Sequence, residues 1–207
     1  MKKSYIWTAP VLASALLFAA LSPVVPVYAA NGTAEETIQP TQAELREKYL
    51  DKMDLKSKDV LGFYHTSMNG STDARKHNIK KAIKRINGQK LKQNETFSYN
   101  GTVGNSNISE DGWQKAGAIV NGQLVEDYGG GICQVSSTLF NAANEAGMTM
   151  VERHGHSKTV GYVPAGMDAT VAYGYLDFQF ANPFDEKVKI KAKTFDDEHV
   201  VIAIVRD

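Results

Sequence analysis

From Met148 to its end the chain alternates apolar and polar residues, in M-T-M-V-E-R-H, D-A-T-V-A-Y, L-D-F-Q-F, K-V-K-I-K-A and V-V-I-A-I-V. A period of two sends successive side chains to opposite faces, so each run is a strand with one face on a core. Strands buried on both faces, as in parallel sheets, read instead as continuous apolar runs. The pattern therefore predicts antiparallel strands. Upstream, Leu61, Phe63 and His65 alternate in the same way, as do Phe97 and Tyr99. A-G-A-I-V-N-G-Q-L-V-E reads as a hairpin turning at Asn121-Gly122.

Helical spacing occurs in three places. Leu45, Tyr49 and Met53 recur at i, i+4, i+8. In D-A-R-K-H-N-I-K-K-A-I-K-R-I-N-G, residues Ile79, Ala82, Ile83 and Ile86 form an apolar stripe. Ser71, Thr72 or Asp73 can cap this helix and Asn87-Gly88 stops it. The third run, C-Q-V-S-S-T-L-F-N-A-A-N-E-A-G, places Val135, Leu139, Ala142, Ala143 and Ala146 inward and ends at Gly147. The expected class is α+β: an antiparallel β-sheet with a few packed helices, and Cys133 at the N-terminus of a central helix.

Lys2 and Lys3 precede an apolar stretch, Ile6 to Leu21, and Val27-Tyr28-Ala29 supplies small residues at −3 and −1. Residues 1–29 therefore read as a signal peptide cleaved after Ala29, with an N-terminal membrane anchor as the alternative. No cysteine stands in lipobox position. Residues 30–43 are polar and aperiodic, as in a flexible linker, and residues 44–207 make one domain. No later segment is long and apolar enough to span a membrane, so the mature chain is expected to be secreted and wall-associated.

The formal charge is zero overall, but it is unevenly spread. Residues 44–93 carry 13 Lys/Arg against 6 Asp/Glu, whereas residues 94–186 carry 3 against 11. A basic segment in an exported protein suggests contact with anionic wall polymer, or simply a solvated helix face. No phosphate loop, dinucleotide fingerprint or nucleic-acid motif is present, so no nucleic-acid partner and no cofactor are expected.

Cys133 is the chain's single cysteine and follows Gly129, Gly130 and Gly131. A lone thiol cannot close an internal disulfide, which leaves packing or reactivity to explain it. Buried free cysteine is common. Reactivity is favoured by the helix start, where backbone N–H groups and the helix dipole stabilise a thiolate, and by His154 and His156 downstream. With Asp168 these residues supply the parts of a thiol–imidazole–carboxylate system: nucleophile, base and orienting acid. A second constellation, Glu152, His154 and His156, shares one face of an extended chain and could hold zinc. It lacks the H-E-x-x-H motif, so no metal site is assigned. Tyr99, Asn100, Trp113 and Tyr128 suit either sugar rings or the core.

Four stretches carry a resemblance to a known family: H-N-I-K-K-A-I-K-R-I-N-G; N-E-T-F-S-Y-N-G-T-V-G; I-V-N-G-Q-L-V-E-D-Y-G-G-G-I-C-Q-V-S-S-T-L-F-N-A-A; and V-E-R-H-G-H-S-K-T-V-G-Y-V-P-A-G-M-D-A-T-V-A-Y-G-Y-L-D-F. From about Leu61 to Val205 the chain resembles the VanW family, named for an accessory gene of a vancomycin-resistance cluster. The resemblance implies an exported or membrane-attached envelope protein but supplies no activity. Its signature positions fall on Gly129, Gly130, Gly131, Cys133, Gln134, Ser136, Glu152, Arg153, His154, His156, Ser157, Pro164, Gly166, Asp168 and Thr170. Gly155 stands where members often have Pro, and Asn94 where a Pro-Gly is usual. The resulting expectation is a thiol site acting on peptidoglycan or its stem peptides. Cys133 is the nucleophile, His156 the base with His154 as alternative, Asp168 the orienting carboxylate, and Gln134 or loop N–H groups the oxyanion donors. A non-catalytic wall-binding module and a zinc-dependent wall hydrolase are the rival readings.

Overall fold

The computed structural model describes residues 40–207 apart from Asn121, so the expected leader and most of the linker lie outside the described residues. The first helix, α1 (Gln42–Lys52), starts two residues inside the stretch read as linker. Thr41 accepts from the Glu44 backbone while the Glu44 carboxylate accepts from the Thr41 backbone, a reciprocal capping box. Strand β1 (Val60–Ser67) follows, then α2 (Asp73–Ile86), capped by Thr72. Short strands β2 (Lys90–Leu91) and β3 (Thr96–Ser98) lead into a single turn, α3 (Tyr99–Val103). The hairpin β4 (Lys115–Val120) and β5 (Gln123–Tyr128) precedes α4 (Ile132–Glu145). Strands β6 (Thr149–Glu152), β7 (Gln179–Ala181), β8 (Val188–Phe195) and β9 (His199–Arg206) complete the described chain.

The strands pair antiparallel throughout, in a four-stranded sheet ordered β1-β9-β8-β2, a three-stranded sheet ordered β3-β7-β6, and the β4–β5 hairpin. Hairpin register closes Val120 on Gln123, leaving the two-residue link expected there. Helices α2 and α4 cover one face of the larger sheet, where Ile79, Ile86, Val135 and Leu139 share a core with Ile190, Ile202 and Ile204. On the other face α1 buries Leu45, Tyr49 and Leu50 against Val60, Phe63, Val201, Ala203 and Val205. Tyr49 stacks on His65 there, and burial pushes the His65 imidazole down to about 4, with His199 adding to the effect. Phe97 and Phe180 stack at 5.1 Å in the smaller sheet, and Phe140 of α4 meets Phe178 edge-on at 5.8 Å.

One expected strand is not regular. D-A-T-V-A-Y forms only isolated bridges, His154 with Thr170 and Ala172 with Leu176. The backbone of this segment is bonded to side chains of α4 instead of to a neighbouring strand, as described below.

The approach of α4 to β1 depends on Gly62. A Cβ there would stand 2.0 Å from the Ala142 carbonyl oxygen and 2.6 Å from the Ala146 nitrogen. Register slips beside it, between Val60 and Gly62, and the Phe63 N–H donates to the Glu145 carboxylate at 2.9 Å. Gly62→Ala therefore forces helix and sheet apart, an overpacking cost of about 1–3 kcal/mol. Urea unfolding of Gly62→Ala should show a lower midpoint at unchanged slope; an unchanged midpoint would mean that this contact is not tight.

Candidate functional site

The Gly129–Gly131 loop delivers the chain to α4 through a space that admits no side chain. A Cβ on Gly130 would lie 2.3 Å from the Ala116 carbonyl oxygen, and Gly131 caps the helix at φ +111. The buried Asn78 of α2 fixes this corner: its amide donates to Gly130 O (3.0 Å) and Gln114 O (2.8 Å) and accepts from Gln114 N (2.9 Å). Close backbone packing is thus the local reason for the glycines. Cys133 is the second residue of α4, half-buried, in the first turn where amide hydrogens have no intrahelical acceptor.

Eleven of the fourteen residues of α4 are buried, several of them polar, and those side chains hold the segment around residue 168. Ser136 Oγ donates to Ala169 O at 2.5 Å, Ser137 Oγ accepts from Ala169 N at 2.9 Å, and Asn141 Nδ2 donates to Met167 O at 2.7 Å. Arg153 works from the other side. Its Nε donates to Asp168 O (2.7 Å), its Nη2 to Gly166 O (2.7 Å) and to Asp168 Oδ1 (3.3 Å), and its guanidinium lies 4.9 Å over the Phe140 ring. Arg153 is therefore a positioning residue for Asp168. Asp168 in turn holds His156 twice, Oδ2 accepting from the backbone N–H and from Nδ1, each at 2.6 Å. The His156 side chain is 5% exposed. With Nδ1–H committed to the carboxylate, Nε2 is left for the thiol side, 3.5 Å from the Tyr162 hydroxyl.

The same segment reaches the sulfur. Cys133 Sγ lies 3.5 Å from Val171 O and 3.8 Å from Thr170 Oγ1. Burial, the largest influence, opposes ionisation of this thiol, yet its pKa falls below the ordinary thiol value because the His156 imidazole, Val171 and Thr170 together outweigh the burial. The reverse holds at His156: burial favours the neutral ring, but Cys133 and Asp168 together raise its pKa. Asp168 is itself partly desolvated, and its hydrogen bonds from His156 nevertheless hold its carboxyl below the usual value. The three shifts agree in direction with a thiolate–imidazolium pair backed by a carboxylate.

Other expected site residues lie elsewhere or do other work. His154 Nε2 pairs with Glu152 Oε1 at 2.9 Å, and that carboxylate also accepts from the Asp177 N–H and the Gln179 amide. His154 is thus engaged away from the thiol, and Glu152, His154 and His156 do not converge. Among the described residues no group of three or more His, Cys, Asp or Glu converges as a metal site. Gln134 departs from its expected oxyanion role, because its amide hydrogens go to Thr66 Oγ1 (3.1 Å) and Ser67 O (2.8 Å). Its Oε1 accepts from Arg75. Ser136 serves the backbone of residue 169, as above.

Two residues at the site escaped the sequence reading, Arg75 and Tyr162. Arg75 carried a signal, since it stands four residues before Ile79 on the inward stripe of α2. Tyr162 carried none. Burial, the largest influence on its hydroxyl, raises the Tyr162 pKa, so the group stays neutral and can donate. The site opens to solvent on two sides. A cleft of about 540 Å³ exposes Cys133 beside Ile132, Thr170, Val171 and Tyr175, and a smaller one of about 230 Å³ is lined by Arg75, Gln134 and Tyr162. Both include Ile119, Gly131 and His156.

Residues 74–205, most of the described chain and including Arg75, Cys133, His156, Tyr162 and Asp168, match the family model described as VanW like protein. The chain belongs to the VanW family. A relative from Bacillus subtilis (strain 168), Uncharacterized protein YoaR, is 46% identical over 139 residues, which cover 67% of this chain and 46% of the relative. Vancomycin B-type resistance protein VanW of Enterococcus faecalis (strain ATCC 700802 / V583) is 33% identical over 136 residues, covering 63% of this chain and 48% of that protein. The chain thus spans about half the length of the curated relatives it matches. No solved structure matches it. Among the described residues no helix is long and apolar enough to cross a membrane.

The electrostatics of this VanW-family site predict how its thiol reacts. Iodoacetamide should alkylate Cys133 in the folded protein well below the free-thiol pKa of about 8.5. In His156→Gln the onset should move to higher pH, because the cation that lowers the thiol's pKa is gone. Alkylation that requires denaturation, or a pH profile indifferent to His156→Gln, would contradict the pairing.

Proposed function

We propose that this chain is an exported cell-envelope protein whose Cys133–His156–Asp168 site carries out acyl transfer on the peptide part of peptidoglycan. The observation that carries the reading is the doubly anchored His156, held by Asp168 at 2.6 Å, beside a thiol that opens into a cleft at a helix start. The leader read in the sequence and the vancomycin-resistance name of the Enterococcus faecalis relative support the envelope as the setting.

The Cys133 thiolate attacks a peptide carbonyl carbon, forming a C–S bond and moving the carbonyl electrons onto oxygen. The first-turn N–H of Cys133, which has no intrahelical acceptor, serves as an oxyanion donor, and the helix dipole favours the negative charge. As the tetrahedral centre collapses, the C–N bond breaks and His156 Nε2–H protonates the departing amine. Asp168 keeps the imidazole in the tautomer that makes this possible. The thioester then passes its acyl group to water or to a second amine, with His156 taking the incoming proton and Sγ leaving as thiolate. Hydrolysis and transpeptidation differ only in that last partner.

Incubation with purified peptidoglycan fragments, followed by mass spectrometry, should show cleaved or joined stem peptides. Cys133→Ser should lower turnover by about a thousandfold or more with the fold intact, since a serine hydroxyl, unlike a thiol, is not ionised in the resting site and is the weaker nucleophile there. Wall binding that persists in Cys133→Ser, with no turnover by the unaltered protein, would instead make this a non-catalytic wall-binding module.

A further inference from the structure

The cations of α2 differ in their partners. Arg85 pairs with Asp111 and Lys80 with Asp197, both on the outside of the helix. Arg75 turns inward, and its identified acceptors are neutral: Gly117 O at 3.3 Å and Gln134 Oε1 at 3.0 Å. Burial is the largest influence on its guanidinium and works against the charge, which arginine nevertheless keeps. Buried charges in proteins are ordinarily paired. Arg75 has no carboxylate within ion-pair reach among the described residues, and it lines the small cleft that shares His156 and Gly131 with the Cys133 cleft. Within the described chain only the Cys133 thiol and the Tyr162 hydroxyl, when ionised, would offset this charge, so a carboxylate at this corner would have to come from a ligand.

The shape of the cleft narrows the choice. Its volume of about 230 Å³ suits one or two small residues, and Gly117, Gly131 and Gly161 line it without side chains. The remaining guanidinium N–H groups match a planar two-oxygen acceptor. The Tyr162 hydroxyl, beside His156 Nε2, offers a further donor at the junction of the two clefts. We propose that Arg75 binds the free C-terminal carboxylate of a short peptide with small side chains. The last residue would occupy the small cleft and the preceding carbonyl would lie toward Cys133. For the reaction this rests on the thiol reading above; for binding it does not. It makes the site one that works at peptide ends and not within long strands.

The test is calorimetric binding of N-acetyl-alanyl-alanine, in its L and D forms, and of the corresponding C-terminal amides to the full-length Cys133→Ala protein. At least one acid should bind about tenfold or more tightly than its amide, the usual scale of a charge-assisted contact. That preference should fall toward unity in Arg75→Gln and be partly retained in Arg75→Lys. If Arg75→Gln does not fold, the acid-to-amide ratio with Arg75 in place decides alone. Equal binding of acids and amides, or binding of neither, overturns the proposal. So does an unchanged preference in folded Arg75→Gln, which would leave Arg75 as support for the thiolate. Selective acid binding without turnover by the unaltered protein would sink the catalytic reading and leave this one standing. Equal turnover of acid and amide peptides would do the opposite.

Discussion

A helix buried on nearly every side cannot leave its polar groups without partners, and α4 carries Gln134, Ser136, Ser137, Thr138 and Asn141 into the interior. An orphaned buried donor or acceptor costs about 1–3 kcal/mol. The chain meets much of this demand by laying the backbone of residues 167–169 along α4, where Ser136, Ser137 and Asn141 replace the neighbour that a strand would have had, although Asn141 Oδ1 is left without a partner among the described residues. The same bonds determine where Asp168 points and where Val171 meets the sulfur. Fold and site therefore depend on one set of contacts. A substitution such as Ser137→Ala acts on both: it leaves the Ala169 N–H without its acceptor and loosens the carboxylate that orients His156.

The charges form a second layer on that scaffold. Arg153 grips Asp168 through its backbone carbonyl and, at 3.3 Å, its carboxylate while its own guanidinium rests on Phe140, which leaves Oδ2 for His156. Asp168 then favours the protonated form of His156, and His156 favours the thiolate form of Cys133. Arg75 lines the adjoining small cleft, where its hydrogen bonds go to neutral acceptors. On the proposed reading, thiol, imidazole and guanidinium follow one another across the two adjoining clefts, an order suited to an electrophilic carbonyl compound that ends in an anion.

The sequence carried much of this in its periodicities. The inward residues of α2 and α4 and the antiparallel pairing of β8 with β9 were readable because each segment repeats at its own period long enough to be distinctive. The start of α1 was also written, as Thr41-Gln42-Ala43-Glu44, although the polar composition of the stretch suggested a linker. The alternation in D-A-T-V-A-Y suggested a strand because Ala169 and Val171 do face the core. Nothing local disclosed that the hydrogen bonds of Ala169 would go to serine side chains more than thirty positions upstream. At the site, the order of Cys, His and Asp was visible, but the choice between His154 and His156 was not. It depends on which imidazole the Asp168 loop meets once α4 holds that loop. Arg75 was hidden by its neighbours, since a lysine-rich helix reads as a solvated face unless its arginine is placed on the apolar stripe.

The central claim, that α4 preassembles a charged thiol–imidazole pair, is tested most directly at the ring nitrogens of His156. Nitrogen-15 NMR across the pH range should find both nitrogens protonated together above the ordinary histidine value of about 6.5. In Cys133→Ala the titration should drop toward or below that value, because burial then opposes the cation without a thiolate to offset it. A neutral His156 that titrates at the ordinary value and ignores Cys133→Ala would contradict the account.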